Sequence, residues 1–243
     1  MSAVLQVEGL TRRFGGLVAV DGLAFAVASG EIVGLVGPNG AGKSTVLDLL
    51  SGVLRPDTGS IVFLDRPIAG LASDRIAKLG LGRTFQPARP LASLTCHDNV
   101  LASLAFGRKR RWGRAARDEA DRLLDRVGLG RALEMLPGKL AYIDHKRLEL
   151  ARALALQPEL LLLDEWLAGL NPAELEGGIA LIKSLNEQGM AILLVEHNVE
   201  ATHGLCHRCL VMSTGRLIAS GLPAEVLAEP EVTRAYVGED GDA

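Results

Sequence analysis

The sequence predicts an α/β fold that is built on a parallel sheet and carries an inserted helical lobe. Short apolar segments typical of strands alternate with segments of helical period, which favours a parallel sheet. Hydrophobic residues make up 48% of the chain and aromatic residues 4%, and such an aliphatic core is typical of parallel sheets buried on both faces. A chain of 243 residues suffices for one large domain, and no internal repeat divides it.

Short strands are expected near the N-terminus, at residues 4–7 and 23–27, joined by a turn-rich segment that contains Phe14, Gly15 and Gly16. A buried strand follows at 31–36, and another at 61–64 comes after the turn-forming residues 56–59. These elements predict N-terminal antiparallel strands ahead of the parallel sheet.

The strand at 31–36 leads into a glycine-rich loop, and the segment after the loop has the pattern of a helix. The loop consists of Gly37, Pro38, Asn39, Gly40, Ala41, Gly42, Lys43, Ser44 and Thr45. Glycines let backbone N–H groups crowd around a di- or triphosphate, and the helix N-terminus adds partial positive charge. Lys43 is expected to reach the β- and γ-phosphates, and the Ser44 hydroxyl to ligate Mg²⁺. The loop therefore predicts nucleotide binding.

From about residue 87 to 152 the pattern is helical, which predicts a helical subdomain at 87–152 within a single domain of residues 1–243. The nucleotide-binding α/β core then comprises residues 1–86 and 153–243. The clearest helix has an apolar stripe that ends at Gly128 and consists of Ala116, Ala120, Leu123, Leu124 and Val127.

Two later strands predict the second half of the nucleotide site. The apolar run 160–163 ends in Asp164 and Glu165. Asp164 is placed to hold Mg²⁺, directly or through water, and Glu165 to polarise the attacking water. The strand at 191–196 delivers His197 to the same sheet edge, where ligands of open α/β sheets bind. Gln86 follows a short strand at 81–85 and is expected to contact Mg²⁺ or water and to couple the core to the helical subdomain.

Composition excludes several classes of function. The formal charge of −3 argues against bulk electrostatic binding to nucleic acid. The first residues lack the pattern of a signal peptide, and no apolar stretch approaches the roughly 20 residues that span a bilayer. Cys96, Cys206 and Cys209 are expected to be core cysteines and not a metal site. The basic run 108–117 predicts a solvated surface, with a membrane or partner contact as the alternative.

These motifs together resemble the ATP-binding cassette (ABC) ATPases over essentially the whole chain, and most of all the subunits of branched-chain amino acid importers. The resemblance covers residues 13–20, the phosphate loop, 82–86, 140–142, 146–154, 163–165, 168–172, 196–197 and 235–239. It implies a P-loop NTPase with a RecA-like parallel-sheet core, N-terminal antiparallel strands and an inserted helical subdomain. It also implies ATP and Mg²⁺ as cofactors and ATP hydrolysis as the reaction.

The resemblance assigns further roles. Phe14 stacks on adenine, and Val20 is also placed in the nucleotide site. Gln86 couples the subdomain, Glu165 is the catalytic base and His197 senses the γ-phosphate. The family works as a dimer, in which one chain's phosphate loop meets the other chain's signature segment, here Leu140, Ala141, Tyr142, Ile143 and Asp144. A dimer loop follows Glu165 and consists of Ala168, Gly169, Leu170 and Asn171.

The partners implied are transmembrane permease subunits, a second ABC subunit and, indirectly, a periplasmic or extracellular solute-binding protein, without nucleic acid. The expected location is the cytoplasmic face of the inner (plasma) membrane, as a peripheral subunit. Two alternatives stay open, namely a regulatory cassette with weak hydrolysis and a soluble ABC ATPase without a transport role.

The chain departs from the family pattern in the signature segment, which normally reads Leu-Ser-Gly-Gly-Gln or Leu-Ser-Tyr-Gly-Gln. Ala141 lacks the serine hydroxyl, and Ile143 replaces a glycine. Ile143 would be strained if the position required a positive φ, and would act sterically if the position were helical. Trp166 replaces a proline beside the dimer face. A heterodimer is therefore favoured, in which the site on Lys43 and Glu165 borrows a better signature from its partner. A homodimer, in which both sites carry Ile143, stays open as the alternative.

Overall fold

The computed structural model describes residues 2–197 and 202–237. Its strands are β1 (Ala3–Phe14), β2 (Leu17–Ala28), β3 (Ile32–Val36), β4 (Thr58–Phe63), β5 (Arg66–Pro67), β6 (Leu81–Arg83), β7 (Leu160–Asp164), β8 (Ala191–Glu196), β9 (Arg208–Ser213) and β10 (Arg216–Gly221). Its helices are α1 (Lys43–Leu50), α2 (Ser73–Leu79), α3 (Cys96–Phe106), α4 (Gly113–Arg126), α5 (Tyr142–Ala155), α6 (Pro172–Asn186), α7 (Pro223–Leu227) and α8 (Pro230–Val237).

The first sheet is antiparallel, with the strand order β2-β1-β4-β5. The N-terminal strands are much longer than the short strands predicted, because β1 and β2 form one hairpin that turns at Gly15 and Gly16. Register shifts between Val7 and Leu10 and between Leu10 and Arg12 interrupt their pairing. Such bulges break the period-two pattern on which the prediction relied.

The second sheet has the order β10-β9-β3-β8-β7-β6, and every pair except β10 with β9 is parallel. The predicted parallel sheet is therefore confirmed. Alternate residues of β7 face opposite layers: Leu160 and Leu162 pack towards the first sheet and α1, while Leu161 and Leu163 pack towards the helical region. Burial on both faces explains why β7 is a continuous run of leucines.

Helices α3, α4 and α5 pack against one another on the second of these faces. The stripe predicted for α4 is fully buried, from Ala116 to Val127. Gly128 has a φ of 83° and terminates the helix, as a left-handed residue after a helix commonly does.

The cysteines of the chain are buried free thiols. Within the two described ranges, no cluster of three or more His, Cys, Asp or Glu side chains is arranged to hold a metal ion. A hydrogen bond with Cys209 and burial raise the pKa of the Cys206 thiol. The described helices include none that is both long and apolar enough to cross a bilayer.

Candidate active site

The phosphate loop lines a cleft of about 470 Å³ at the carboxyl end of β3. The remaining walls come from Phe14 at the end of β1, from residues 17–19 of β2, from Glu165 after β7 and from Thr214 after β9. The hairpin of the first sheet and the parallel sheet therefore build this cleft together.

Two loop glycines are required by close backbone contacts. A Cβ atom on Gly37 would lie 2.1 Å from the carbonyl oxygen of Met212, and one on Gly42 would lie 2.2 Å from that of Ala19. Both residues also have positive φ angles, 150° and 99°, which residues with a Cβ atom rarely adopt. The loop can thus adopt this path only with glycine at these positions.

Lys43 is the first residue of α1, and its side chain is buried. Its ammonium group donates hydrogen bonds to the carbonyl oxygens of Gly37, at 2.6 Å, and Pro38, at 2.7 Å. The Lys43 ammonium is thereby held beside the loop and the N-terminus of α1. Its charge and the helix N-terminus both favour a bound anion at this place.

Phe14 lines the cleft and is 43% exposed. A ring that stacks on a base must be accessible in this way. The Arg12 guanidinium lies 4.9 Å from the ring centroid, which fixes the ring by a cation–π contact. The Val20 side chain is wholly buried in the core between the sheets and does not line the cleft, so its place in the nucleotide site stays a prediction. Leu17, Val18 and Ala19 line the cleft instead.

Asp164 ends β7 and is held by Arg83 of β6. The guanidinium donates to the Asp164 carboxylate at 3.0 Å, to Asp48 of α1 and to Ser51, which follows α1. Burial raises the pKa of Asp164 from its usual value, whereas the hydrogen bond from Arg83 lowers it. Asp164 is therefore a buried carboxylate that needs a cationic partner.

Glu165 follows Asp164 and points into the cleft. Its φ of 45° is unusual for a residue with a side chain. Its backbone N–H donates to Val195 of β8. The exposed His197, which follows β8, places Nδ1 4.0 Å from Oε1 of Glu165. The parallel strands thus bring these two predicted residues together.

Gln86 is exposed and lies outside the main cleft, in an adjoining cavity of about 300 Å³. Asp164 lines the same adjoining cavity, whereas Ser44 lines the main cleft. The three predicted Mg²⁺ ligands are therefore split between two cavities, and Glu165 lines both.

The signature segment lies at the start of α5, and Ala141 precedes the first helical residue. Ile143 is buried in the helix and has no positive φ, which resolves the two alternatives in favour of a helical, unstrained position. Asp144 pairs with Arg147 at 3.0 Å. The Tyr142 hydroxyl donates to the carbonyl oxygen of Ala168 at 3.4 Å, so the signature segment touches the dimer loop of its own chain.

The dimer loop ends in a helix cap. The Asn171 side chain accepts from the backbone of Glu174, and the Glu174 side chain accepts from the backbone of Asn171, ahead of Pro172. Asn171 therefore acts as the N-cap of α6 as well as the last residue of the dimer loop. Gly169 has a φ of 75°, and Leu170 packs against the helical core.

Two residues that hold the segment after Glu165, Lys146 and Glu196, were not predicted from the sequence. The Lys146 ammonium donates to the backbone carbonyls of Glu165, Trp166 and Ala168. The Glu196 carboxylate accepts from the backbone N–H of Leu167 at 2.9 Å. Burial raises the pKa of Glu196 to about 7. Side chains that bond to distant backbone atoms leave no periodic signal in a sequence.

Comparison with known proteins decides the family. The family model described as ABC transporter matches residues 20–168, which is more than half of the chain. The chain belongs to the ABC transporter ATP-binding family. A second model, described as a branched-chain amino acid ATP-binding cassette transporter, matches residues 216–242.

Relatives of this ABC chain align over nearly their whole length. The high-affinity branched-chain amino acid transport ATP-binding protein LivG of Salmonella typhimurium is 40% identical, covering 97% of this chain and 98% of LivG. The corresponding protein BraF of Pseudomonas aeruginosa is 38% identical over the same shares. The ADP conformation of MJ1267, an ATP-binding cassette of an ABC transporter, superimposes with a TM-score of 0.89 at 27% identity, covering 98% of this chain and 100% of MJ1267. The chain is thus an ABC-type ATPase that binds ATP.

Proposed function

We propose that this ABC ATPase energises an importer of branched-chain or related amino acids. The observation that carries the proposal is the C-terminal match at residues 216–242 to the model of branched-chain amino acid cassettes, since the general cassette motifs do not distinguish solutes. LivG and BraF, which align over 97% of this chain, are named for the same transport.

The reaction proposed is hydrolysis of ATP in the cleft. Lys43 and the loop amides stabilise the charge of the transferring phosphoryl group. Glu165 orients and polarises the attacking water, since its carboxylate lines the cleft. His197 lies next to Glu165 and contacts the γ-phosphate, and the Phe14 ring stacks on adenine.

The residues proposed to hold Mg²⁺ are Ser44, Asp164 and Gln86. A hydroxyl, a carboxylate and an amide oxygen are the hard ligands that this ion prefers, and a buried carboxylate such as Asp164 favours a cation beside it. When bound, the ion would neutralise charge on the phosphate oxygens. Hydrolysis is therefore expected to stop when EDTA removes divalent cations and to return with added Mg²⁺.

We also propose that the chain works at the cytoplasmic face of the membrane, with permease subunits and a second cassette. ATP would lie between the phosphate loop of one cassette and the signature segment of the other. The side chain of Asp144 lies in the first turn of α5 and brings negative charge towards the partner's anionic nucleotide. A partner cassette with a different signature segment would leave the site on Lys43 and Glu165 fully competent.

Transport is tested by uptake of radiolabelled leucine into cells that lack this chain and carry either the wild type or Lys43→Ala. Uptake is expected with the wild type and not with the variant, and unlabelled isoleucine or valine should compete whereas lysine should not. Lys183→Met, at an exposed position of α6, is the matched control. Equal uptake in cells with and without the chain would contradict the proposed substrate.

The partner arrangement is tested separately with Ile143→Gly in the transporter purified from cells. Removing the bulky side chain is expected to raise ATP turnover at the partner's site. Unchanged turnover would mean that Ile143 does not limit hydrolysis at the partner's site.

A further inference from the structure

Four hydrogen bonds with the side chains of Lys146 and Glu196 hold the backbone between Glu165 and Ala168, which connects β7 to the dimer loop. Three of them come from one ammonium group, since Lys146 donates to the carbonyls of Glu165 at 2.9 Å, Trp166 at 3.0 Å and Ala168 at 2.7 Å. The fourth runs from the N–H of Leu167 to Glu196. The segment is therefore fastened to α5 on one side and to β8 on the other.

Trp166 completes this arrangement from the other direction. Its indole Nε1 donates to the backbone carbonyl of Lys146 at 3.1 Å, while the Lys146 side chain donates to the backbone carbonyl of Trp166. Trp166 is 2% exposed and Lys146 8% exposed. Lys146 and Trp166 each donate to the other's backbone carbonyl, and both are buried. These two hydrogen bonds fix the distance between α5 and the end of β7.

The shape of α6 accommodates the indole ring. A Cβ atom on Gly178 would lie 3.0 Å from Cζ3 of Trp166 and 3.0 Å from Cδ2 of Leu167. A glycine inside a helix destabilises it by about 0.5–1 kcal/mol relative to alanine. The position of Gly178 is consistent with a ring that must lie close to the α6 backbone.

The strained residue in this segment is Glu165, with its φ of 45°. Strained backbone conformations persist where surrounding contacts determine them, and they concentrate at functional sites. Here the Lys146 ammonium binds the carbonyl of Glu165 itself, and Val195 binds its N–H. Both the N–H and the carbonyl of Glu165 are thus hydrogen-bonded, and these bonds hold the backbone from which its carboxylate reaches the nucleotide cleft.

We propose that Lys146 and Trp166 are positioning residues for ATP hydrolysis, which hold the Glu165 carboxylate in the cleft by bonding to each other across the end of β7. Neither residue lines the main cleft, whereas both line the adjoining cavity behind Glu165. Their contribution is expected in the rate of hydrolysis and not in the affinity for ATP.

The test compares Lys146→Met, Lys146→Arg and Trp166→Phe in the complex that copurifies with the tagged chain. Lys146→Met is expected to lower kcat at least tenfold while the Kd for ATP changes less than twofold. Lys146→Arg retains a cationic donor and is expected to recover most of the rate. Trp166→Phe keeps most of the ring volume without the donor and is expected to lower kcat about threefold or more. Lys183→Met and Trp112→Phe, at exposed positions, are the controls.

An NMR readout separates positioning from general stability. The chain has two tryptophans, so a Trp112→Phe background leaves the indole N–H of Trp166 as the single such resonance. Its hydrogen exchange is expected to be slow in this background and to accelerate when Lys146 becomes Met. The proposal is overturned if kcat of both Lys146→Met and Trp166→Phe stays within twofold of the wild type, or if kcat and ATP affinity fall together with Tm. If Lys146→Met does not fold, Trp166→Phe decides by the same criteria.

Discussion

The guanidinium of Arg83 lies 3.0 Å from the carboxylate of Asp164, and both side chains are almost completely buried. The same guanidinium donates to Asp48 of α1 and to Ser51, which follows that helix. One side chain thereby ties the helix that follows the phosphate loop to the strand that carries the acidic residues. Arg83 thus orients Asp164, and it lies three positions before Gln86 in the chain.

Replacing Arg83 by Met is expected to destabilise the fold by about 3–5 kcal/mol, because it leaves a buried carboxylate without its partner. Urea denaturation measures the change. Arg108→Met is the control, since Arg108 pairs with Glu159 on the surface and such pairs contribute less than about 1 kcal/mol. Equal losses in the two variants would show that the burial of the Arg83 pair has no energetic consequence.

The neighbouring glycines of α6 are expected to respond oppositely to alanine. Gly177→Ala meets no atom within 4 Å and should stabilise the protein by about 0.5–1 kcal/mol through helix propensity. Gly178→Ala places its methyl group 3.0 Å from the Trp166 ring and should destabilise the protein by about 1–3 kcal/mol through overpacking. Thermal unfolding of both variants measures the difference, and a stabilising Gly178→Ala would contradict the packing described for Trp166.

Glu196 should make the protein more stable at acidic than at neutral pH. Its pKa is raised from 4.5 to about 7 in the folded state, so the folded protein binds the proton more tightly than the unfolded chain. This stabilisation is complete below pH 4.5 and is lost as the pH rises through 7, a change of at most about 3 kcal/mol.

The pH dependence is measured by chemical denaturation of the wild type and Glu196→Gln between pH 5 and 8. The variant should have the flatter curve, because glutamine does not titrate. Glu159→Gln, on the surface, should leave the curve unchanged. Parallel curves for the wild type and Glu196→Gln would rule out the raised pKa.

Gly42→Ala is expected to weaken ATP binding at least tenfold. The added Cβ would lie 2.2 Å from the Ala19 carbonyl at a φ of 99°, so the loop that presents its amides to phosphate must move. Gly138→Ala, which meets no atom within 4 Å, is the control. Titration with a fluorescent ATP analogue measures both, and unchanged affinity of Gly42→Ala would contradict the role of the loop path.

Much of the fold followed from the sequence, because strands such as β7 and helices such as α4 carry strong apolar patterns. The extent of the N-terminal hairpin did not follow, since bulges near Leu10 disturb the alternation of β1. The predicted phosphate loop, Phe14 and Glu165 all line one cleft. The burial of Val20 did not follow, because position in a motif does not tell which face of a strand a side chain occupies.

The supporting residues of the site were harder to predict. Lys146 and Glu196 bind backbone atoms of a segment about 20 and 30 positions away, and only the folded chain brings those atoms within reach. The sequence also did not decide whether Ile143 is helical or has a positive φ, because the altered signature segment is compatible with a helix start and with a left-handed turn. Local pattern therefore predicted the groups expected to contact nucleotide, whereas the groups that hold them required the tertiary structure.

The most direct test of the central claim is hydrolysis of Mg·ATP by the purified chain across a concentration series, with Glu165→Gln measured in parallel. We expect the wild type to hydrolyse ATP, either as the purified chain or after its partner cassette is added. We also expect bound ATP without turnover in Glu165→Gln. Turnover that rises steeply with protein concentration would favour a homodimer over the heterodimer proposed. Hydrolysis by Glu165→Gln at the wild-type rate would contradict the assignment of the catalytic carboxylate.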